Sequence, residues 1–583
     1  MIKLLRKLHR QEALYALVCA VMVVLQVWLE LTMPDYTSQL TQEVSVAMAM
    51  SGEVAMSAIV KNGALMILCA LGSVAGSIVC GFFAARLAAS FARTLRSELF
   101  GKVSGFSDAN YNSFGVPSLI TRTTNDVVQL QNFVAMGLQM LIKAPIMAIW
   151  AITKISFVSI YWTSAALIAV VFIMSAAGIL VMLCLPRFRK IQTLTDNLND
   201  ATRENLSGVR VVRAFNAEKY QESRFEKVNE EITSNHLFTS RSMGLLLPVM
   251  TLGMNALMLA IYWIGAYLIN EAELTEKAVT MGNMIAFTQY AMQIVMSFMM
   301  LIMIFILLPR AMVSAKRLND VLETDITMTY SDKSVEKKEK GKIEFKNVSF
   351  GYNDADKPCV SGLNFTVNPG ETFAIIGATG TGKSSIVNLI PRYYDITGGE
   401  LLIDGVDIKK YPKEQLQSIV SIAPQKAILF AGSVKSNISY GSESDDERIQ
   451  RALDIAQAGF VNELEKGVDS EVAQGATNFS GGQKQRMSIA RAVYRDSEIY
   501  IFDDTFSALD YKTDMLVRKS LKEQLGDKTI IIVAQRIGTI KNADKILVLD
   551  EGKIAGIGTH EELIKTCPIY NEIALSQLSK EEL

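Results

Sequence analysis

Residues 377–384 read GATGTGKS, the spacing G-x-x-x-x-G-K-[ST]. FAIIG (373–377) leads in as an apolar, strand-like run, and SSIVNLI (384–390) opens a helical pattern. A glycine-rich loop between strand and helix is the setting in which this spacing cradles phosphate. Gly377, Gly380 and Gly382 let backbone N–H groups wrap the phosphates, with Ala378, Thr379 and Thr381 between them. Lys383 is placed to reach the β- and γ-phosphates, and the Ser384 hydroxyl suits Mg²⁺, with Ser385 next on the helix. Downstream, IYIFDD (499–504) is an apolar strand ending in two carboxylates, of which Asp503 is placed to complete the magnesium site. ATP and Mg²⁺ are therefore the expected ligands.

Around this loop the pattern is α/β. From residue 343 strand-like runs (IEFKNVSFGY, KTIIIVAQ, DKILVLDEGKIAGIG) alternate with helices, which implies a largely parallel sheet. SDKSVEKKEKGK (331–342) is charged and linker-like. Upstream the composition changes. Apolar stretches near 13–33, 63–88, 134–157, 160–184, 245–270 and 283–308 are each long enough to cross a hydrocarbon layer of about 30 Å as a helix. The expected domains are a transmembrane domain over 1–320, a linker over 321–342 and a nucleotide-binding domain over 343–583. The fold class is an α-helical membrane domain of six transmembrane helices, with long cytoplasmic extensions, fused to an α/β P-loop domain.

Lys3, Arg6, Lys7 and Arg10 precede the first span, and the segments after spans two and four are rich in Arg and Lys. NEAELTEKAVT, after span five, is acidic. The positive-inside rule then places both termini in the cytoplasm of a multi-pass plasma-membrane protein. The first 12 residues suit an interfacial amphipathic helix. The segments between spans two and three and between spans four and five read as helix, so the spans should extend into the cytosol and turn near 108–115 and 215–223. The net charge is −1, which gives no sign of nucleic-acid binding. Six scattered cysteines without C-x-x-C argue against a disulfide framework or zinc site.

FSGGQ (479–483), the phosphate loop, Asp503 and the six spans together carry a resemblance. The chain resembles an ATP-binding cassette (ABC) half-transporter of the exporter type, and the degenerate-site subunit of a bacterial heterodimeric exporter in particular. The resemblance implies that Tyr352 stacks on adenine and that Gln425 is the Q-loop residue sensing Mg²⁺. It implies that Phe479, Ser480, Gly481, Gly482 and Gln483 form the signature that closes over ATP held by the opposite subunit. Ser507, Ala508, Leu509 and Asp510 would be the D-loop.

Two positions depart from that family's pattern. Asp504 stands where hydrolysing members carry Glu, and Gln535 where a His contacts the γ-phosphate. The first carboxylate is one methylene shorter, and a misplacement of about 1 Å can cost on the order of 10²-fold in rate. A glutamine carries no charge and relays no proton. No histidine lies between His236 and His560. Phe479 for the usual Leu and Gln474 for a frequent Glu are lesser departures. The expectation is an ATPase coupled to export of amphipathic small molecules, drug-like or lipid. Its own site should hydrolyse poorly, and its partner should be a homologous half-transporter with Glu and His. The alternatives are a regulatory or sensing subunit that binds ATP without transport, and a slow homodimer. In the membrane half, Met-rich spans five and six suit either an adaptable apolar pocket or ordinary packing. Asn255, Gln289 and Gln293 are expected to face inward. Lys143 should either snorkel or line a cavity.

Overall fold

The structure is a computed structural model that describes residues 2–6, 10–49, 56–156, 159–326, 328–352 and 357–578. It divides into two compact units, Met1–Val103 with Pro117–Thr324, and Ser104–Val116 with Asp325–Leu583.

Among the described residues the first unit holds six helices long and apolar enough to cross a membrane. They run over Arg10–Ala49, Met56–Ser104, Val116–Ser156, Ile160–Ser207, Glu218–Glu271 and Leu274–Glu323. At 1.5 Å per residue the 49-residue second helix extends about 70 Å, more than twice a hydrocarbon layer. The sequence therefore places spans and extensions on single continuous helices. The third carries two π-helical turns, Arg122–Asp126 and Phe133–Gly137. At the second, any Cβ on Gly137 would meet the Phe133 ring at 2.9 Å. Trp162 anchors the apolar core of this unit: it is buried against Phe287, and its Nε1 donates to the Ile261 carbonyl at 3.1 Å.

Two lysines of the third helix are paired with carboxylates of the first. Lys143 donates to Glu30 at 2.9 Å, joined by Ser73 at 3.2 Å, and Lys154 pairs with Asp35 at 2.6 Å. Tyr290 donates to the Leu31 carbonyl and to Asp35. A carboxylate on the first span thus meets Lys143. Met250 is buried, whereas Met292, Met296 and Met303 are exposed in the described chain, as is Asn255. The Gln293 carbonyl oxygen is buried without a partner. Of the expected N-terminal interfacial helix, Ile2–Leu5 is helical, with Leu4 buried and Lys3 paired to Glu323 at 2.8 Å. Residues 7–9 of that reading lie outside the described residues.

The turns between helices two and three and between helices four and five both carry short helices. The first is Asp108–Phe114, opened by a capping box between Ser107 and Asn110 and ended by Gly115 at φ 74°. It belongs to the second unit: Asn112 donates to Tyr394 at 3.4 Å and Asn110 to the Asp325 carbonyl at 3.3 Å. The second short helix is Val209–Ala214, earlier than the expected 215–223. Gly208 stops the fourth helix, and Asn216 at φ 50° turns the chain so that 218 onward starts the fifth. Phe215 is 79 % exposed and Tyr220 68 %.

The second unit is built on a sheet of six strands. In chain order the strands are β1 (Ile343–Phe350), β2 (Val360–Val367), β3 (Thr372–Gly377), β4 (Gly398–Ile403), β5 (Val406–Asp407), β6 (Val420–Ala423), β7 (Gly432–Ser433), β8 (Glu471–Val472), β9 (Ile499–Asp503), β10 (Thr529–Val533), β11 (Lys545–Asp550) and β12 (Lys553–Gly558). The main sheet has the order β12-β11-β3-β10-β9-β6, parallel except for the β11–β12 hairpin. Its central strands β9 and β10 are buried on both faces, hence the runs IYIFD and TIIIV, whereas the edge strand β12 is not. An antiparallel sheet, β2-β1-β4-β5, packs over one face. Residues 328–342 form no helix or strand. They lie along this unit, with Gln415 donating to the Val335 carbonyl at 2.8 Å and Lys337 pairing with Glu498 at 2.7 Å.

Candidate functional site

In open parallel sheets ligands bind beyond the carboxyl ends of the strands. Four such ends converge here. β3 ends at Gly377 and β9 at Asp503, β6 is followed by Pro424 and Gln425, and β10 by Ala534 and Gln535.

The loop after β3 turns through Gly380 (φ 87°) and Gly382 (φ 97°), conformations that L side chains rarely adopt. At Gly382 a Cβ would also meet Val360 at 2.6 Å. Lys383 is buried at the head of the helix Lys383–Leu389, and its ammonium donates to the Gly377 and Ala378 carbonyls, both at 2.7 Å. The loop's own carbonyls thus hold the lysine under the arch where phosphates would sit. Burial pulls the Lys383 ammonium below the usual lysine range, partly opposed by Asp504 and Asp503.

Ser384 donates to Asp503 at 3.3 Å. Burial pushes the Asp503 carboxyl above the ordinary range; the Ser384 bond opposes that, and the charge of Asp504 adds to it. A hydroxyl and a carboxylate side by side form an oxygen donor set suited to Mg²⁺. The two residues fit the ion, and with it they would fix the phosphates in register with Lys383.

Asp504 sits differently. Its backbone is left-handed (φ 47°), pinned by its N–H to the Val533 carbonyl at 3.0 Å. One carboxylate oxygen accepts from both Gln535 (2.9 Å) and Gln425 (3.3 Å). The three residues singled out in the sequence at 425, 504 and 535 therefore meet at one atom, and Gln425 meets Asp504 rather than Asp503. Tyr352 donates to or accepts from Ser385 at 3.1 Å and lies edge-on to Phe350 and Tyr394, leaving a partly exposed ring beside the phosphate loop.

Residues 479–483 open a second helix, Gly481–Tyr494. Ser480 caps it: Gln483 N–H donates to the Ser480 hydroxyl at 3.3 Å, and Ser480 N–H to the Gln483 side chain at 2.9 Å. Gln483 therefore serves the cap, and the N–H groups of Gly481 and Gly482 stand at the positive end of a helix dipole. Phe479 is buried against Phe460. Among the described residues no hydrogen bond joins 479–483 to 377–385. In the D-loop Ser507 donates to the Asp504 carbonyl at 2.7 Å, and Leu509 is buried. The Ala508 carbonyl lies 3.3 Å from where a Gly482 Cβ would stand, and Asp510 caps the helix Tyr511–Gln524 through Thr513.

A phosphate loop, an acidic pair and a capped glycine signature on one cassette, behind six spans, match two known families. Residues 13–298 match the ABC transporter transmembrane region and 360–507 the ABC transporter family. An uncharacterized ABC transporter ATP-binding protein of Mycobacterium tuberculosis is 41 % identical over 520 residues, covering 88 % of this chain and 87 % of that one. The chain belongs to the ABC transporter family. The ATP-dependent lipid A-core flippase of Hahella chejuensis is 31 % identical over 516 residues, 87 % of this chain and 86 % of that one. The fold is that of a solved bacterial Atm1-family ABC exporter with ATP bound, at TM-score 0.80, 24 % identity and coverage of 98 % and 99 %.

The transporter thus joins a helical membrane domain to an ATP-binding ABC domain in one chain, a half-transporter. Its one cassette histidine does not serve the site, for His560 is held by Tyr570 at 2.7 Å. Sequence reasoning missed Gln577, whose amide donates to the Gln535 carbonyl at 2.9 Å and accepts from Ile537 N–H at 2.8 Å. It also missed Cys359, 3.3 Å from Ser385. Neither carries a local signal, since each arrives from a distant element.

Proposed function

We propose that this transporter is one half of an ATP-driven exporter of amphipathic small molecules, and that its own nucleotide site is kept for binding. Asp504 carries the reading. A base that draws a proton from water needs a free lone pair aimed at that water. Here one carboxylate oxygen already accepts from two amides, which leaves only the other, on a stem one methylene shorter than that of Glu, to meet a water, and neither Gln425 nor Gln535 can take up the proton. The binding parts, Gly382, Lys383, Ser384 and Asp503, keep the types that phosphate and Mg²⁺ need. The partner is a homologous half-transporter with Glu and His, to which this chain offers Ser480, Gly481 and Gly482. That pairing gives one ATP turned over and one held as a clamp. Both termini lie in the cytoplasm of a bacterial plasma membrane, and the lipid A-core flippase among the relatives supports an amphipathic cargo. Purified alone, the chain should bind a fluorescent ATP analogue and hydrolyse ATP slowly. Vigorous turnover by the chain alone would sink the reading.

A further inference from the structure

Where the first two spans leave the hydrocarbon, a cavity of about 940 Å³ opens between Arg10, Gln11, Glu12 and Tyr15 on one helix and Arg86, Ala89, Ser90 and Arg93 on the other. Three guanidiniums face it, and among the described residues none has a carboxylate at ion-pair distance. Glu12 is 2 % exposed and accepts from Ser90 at 2.7 Å, so it ties the two helices together at the cavity wall. Arg86 is steadied over the Phe82 ring at 6.0 Å.

The surface beyond the arginines is shaped to match. At helical spacing Arg10, Leu14, Leu17 and Val21 share one face of the first helix, and Arg93, Ala89, Arg86, Phe82 and Ile78 one face of the second. Leu14, Leu17, Val21, Phe82 and Ile78 are all exposed. Each stripe begins with positive charge at the membrane boundary and continues as bare apolar surface into the span. A free phosphate would use only the first part. A phospholipid uses both, because its phosphate meets the arginines while its acyl chains lie along the stripes.

We infer that this cavity is a binding site for the headgroup of an anionic phospholipid of the inner leaflet, the leaflet being set by the orientation proposed above. Basic pockets between helices on the cytoplasmic side are suited to such headgroups. Such a site would make the transporter's stability depend on lipid charge.

The test uses the delipidated full chain in detergent, titrated with dioleoylphosphatidylglycerol or dioleoylphosphatidylcholine and read by native mass spectrometry and thermal unfolding. The phosphatidylglycerol should bind tighter and raise the melting temperature. Arg10→Gln/Arg86→Gln/Arg93→Gln should weaken that binding by about tenfold or more. A control with equal charge loss, Arg203→Gln/Lys227→Gln/Arg241→Gln, should leave it within about twofold, since exposed charges elsewhere act only through the screened field. Should the triple variant fold poorly, Ala89→Trp keeps every charge, sits at an exposed position and fills the cavity, and it too should weaken binding. Equal retention of the two lipids, equal weakening by the control, or undiminished binding by Ala89→Trp would overturn the site. Displacement of the lipid by millimolar inorganic phosphate would reassign it to a free anion. The readout is binding, so its outcome is independent of whether the cassette hydrolyses ATP.

Discussion

Two neighbouring parts of the nucleotide site are built on opposite principles. Around Gly377–Ser384 and Asp503, Lys383 and Asp503 are buried and Ser384 is exposed, and each makes contacts that phosphate or Mg²⁺ could take over: lysine to carbonyls, serine to carboxylate. Around Asp504 the contacts are closed among themselves, two amides on one acid, with Gln577 bracing the loop from the C-terminal helix. The first part is open to a ligand; in the second, one oxygen of the acid is already taken up by two amides. Residues one position apart, Asp503 and Asp504, can thus fall on different sides of a functional divide, because the strand ends between them and the backbone turns left-handed.

The largest test of that divide is Lys383→Ala against Asp504→Asn. Loss of the ammonium should weaken binding of a fluorescent ATP analogue by about 10- to 100-fold, the worth of a charge-assisted bond. Asp504→Asn should change it by no more than about threefold, since asparagine keeps the size of the side chain and its carbonyl oxygen can still accept from Gln425 and Gln535. In the complex with the partner, Ser480→Ala should depress ATPase activity about 10²-fold, as for a lost transition-state donor, while Asp504→Asn barely registers. Equal effects would show that the competent and degenerate sites have been assigned the wrong way round. Conversely, Asp504→Glu with Gln535→His should raise turnover at this chain's own site by about tenfold or more.

A smaller effect concerns pH. Burial raises the Asp503 carboxyl and lowers the Lys383 ammonium. The ionised carboxylate is therefore lost at a higher pH than for an ordinary aspartate as pH falls. The lysine charge is lost at a lower pH than for an ordinary lysine as pH rises. Nucleotide affinity should narrow from both sides, and Asp503→Asn should flatten the acid limb alone, which a binding titration at constant ionic strength would show.

The two turns that carry short helices extend the contrast. Tyr111 packs edge-on against Phe106 within the cassette unit, whereas Phe215 stands exposed. Tyr111→Ala should cost about 0.5–1.5 kcal/mol of stability, the worth of an aromatic pair. Phe215→Ala should leave the melting temperature unchanged yet lower transport of a fluorescent amphiphile into inverted vesicles relative to ATP turnover. A parallel fall of both activities would make Phe215 a merely structural residue.

The sequence was most legible where function demands residue types at fixed spacing. Phosphate needs glycines and a lysine within eight residues, so 377–384 could be read directly, and 20-residue apolar runs announced the spans. The contacts that finish the site join distant elements. Nothing near Gln535 foretells Gln577, and nothing near Lys143 foretells Glu30, 113 residues away. The second turn was misplaced by a few residues because Gly208 and Asn216, single backbone-permissive positions, decide where a helix stops, and no hydrophobic period marks them.

The paired charges of the membrane unit also bear on how the chain is made. Glu30 and Asp35 lie in the first helix, but Lys143 and Lys154 lie in the third. During synthesis the first span leaves the ribosome about a hundred residues before its counter-ions, and each unpaired charge at the centre of a membrane costs about 2.5–3.5 kcal/mol on insertion scales. The first span should therefore linger at the insertion machinery until the third arrives, and the two should pass into lipid together. A nascent chain arrested after the second span should remain crosslinkable to that machinery, and Glu30→Leu with Asp35→Leu should release it early.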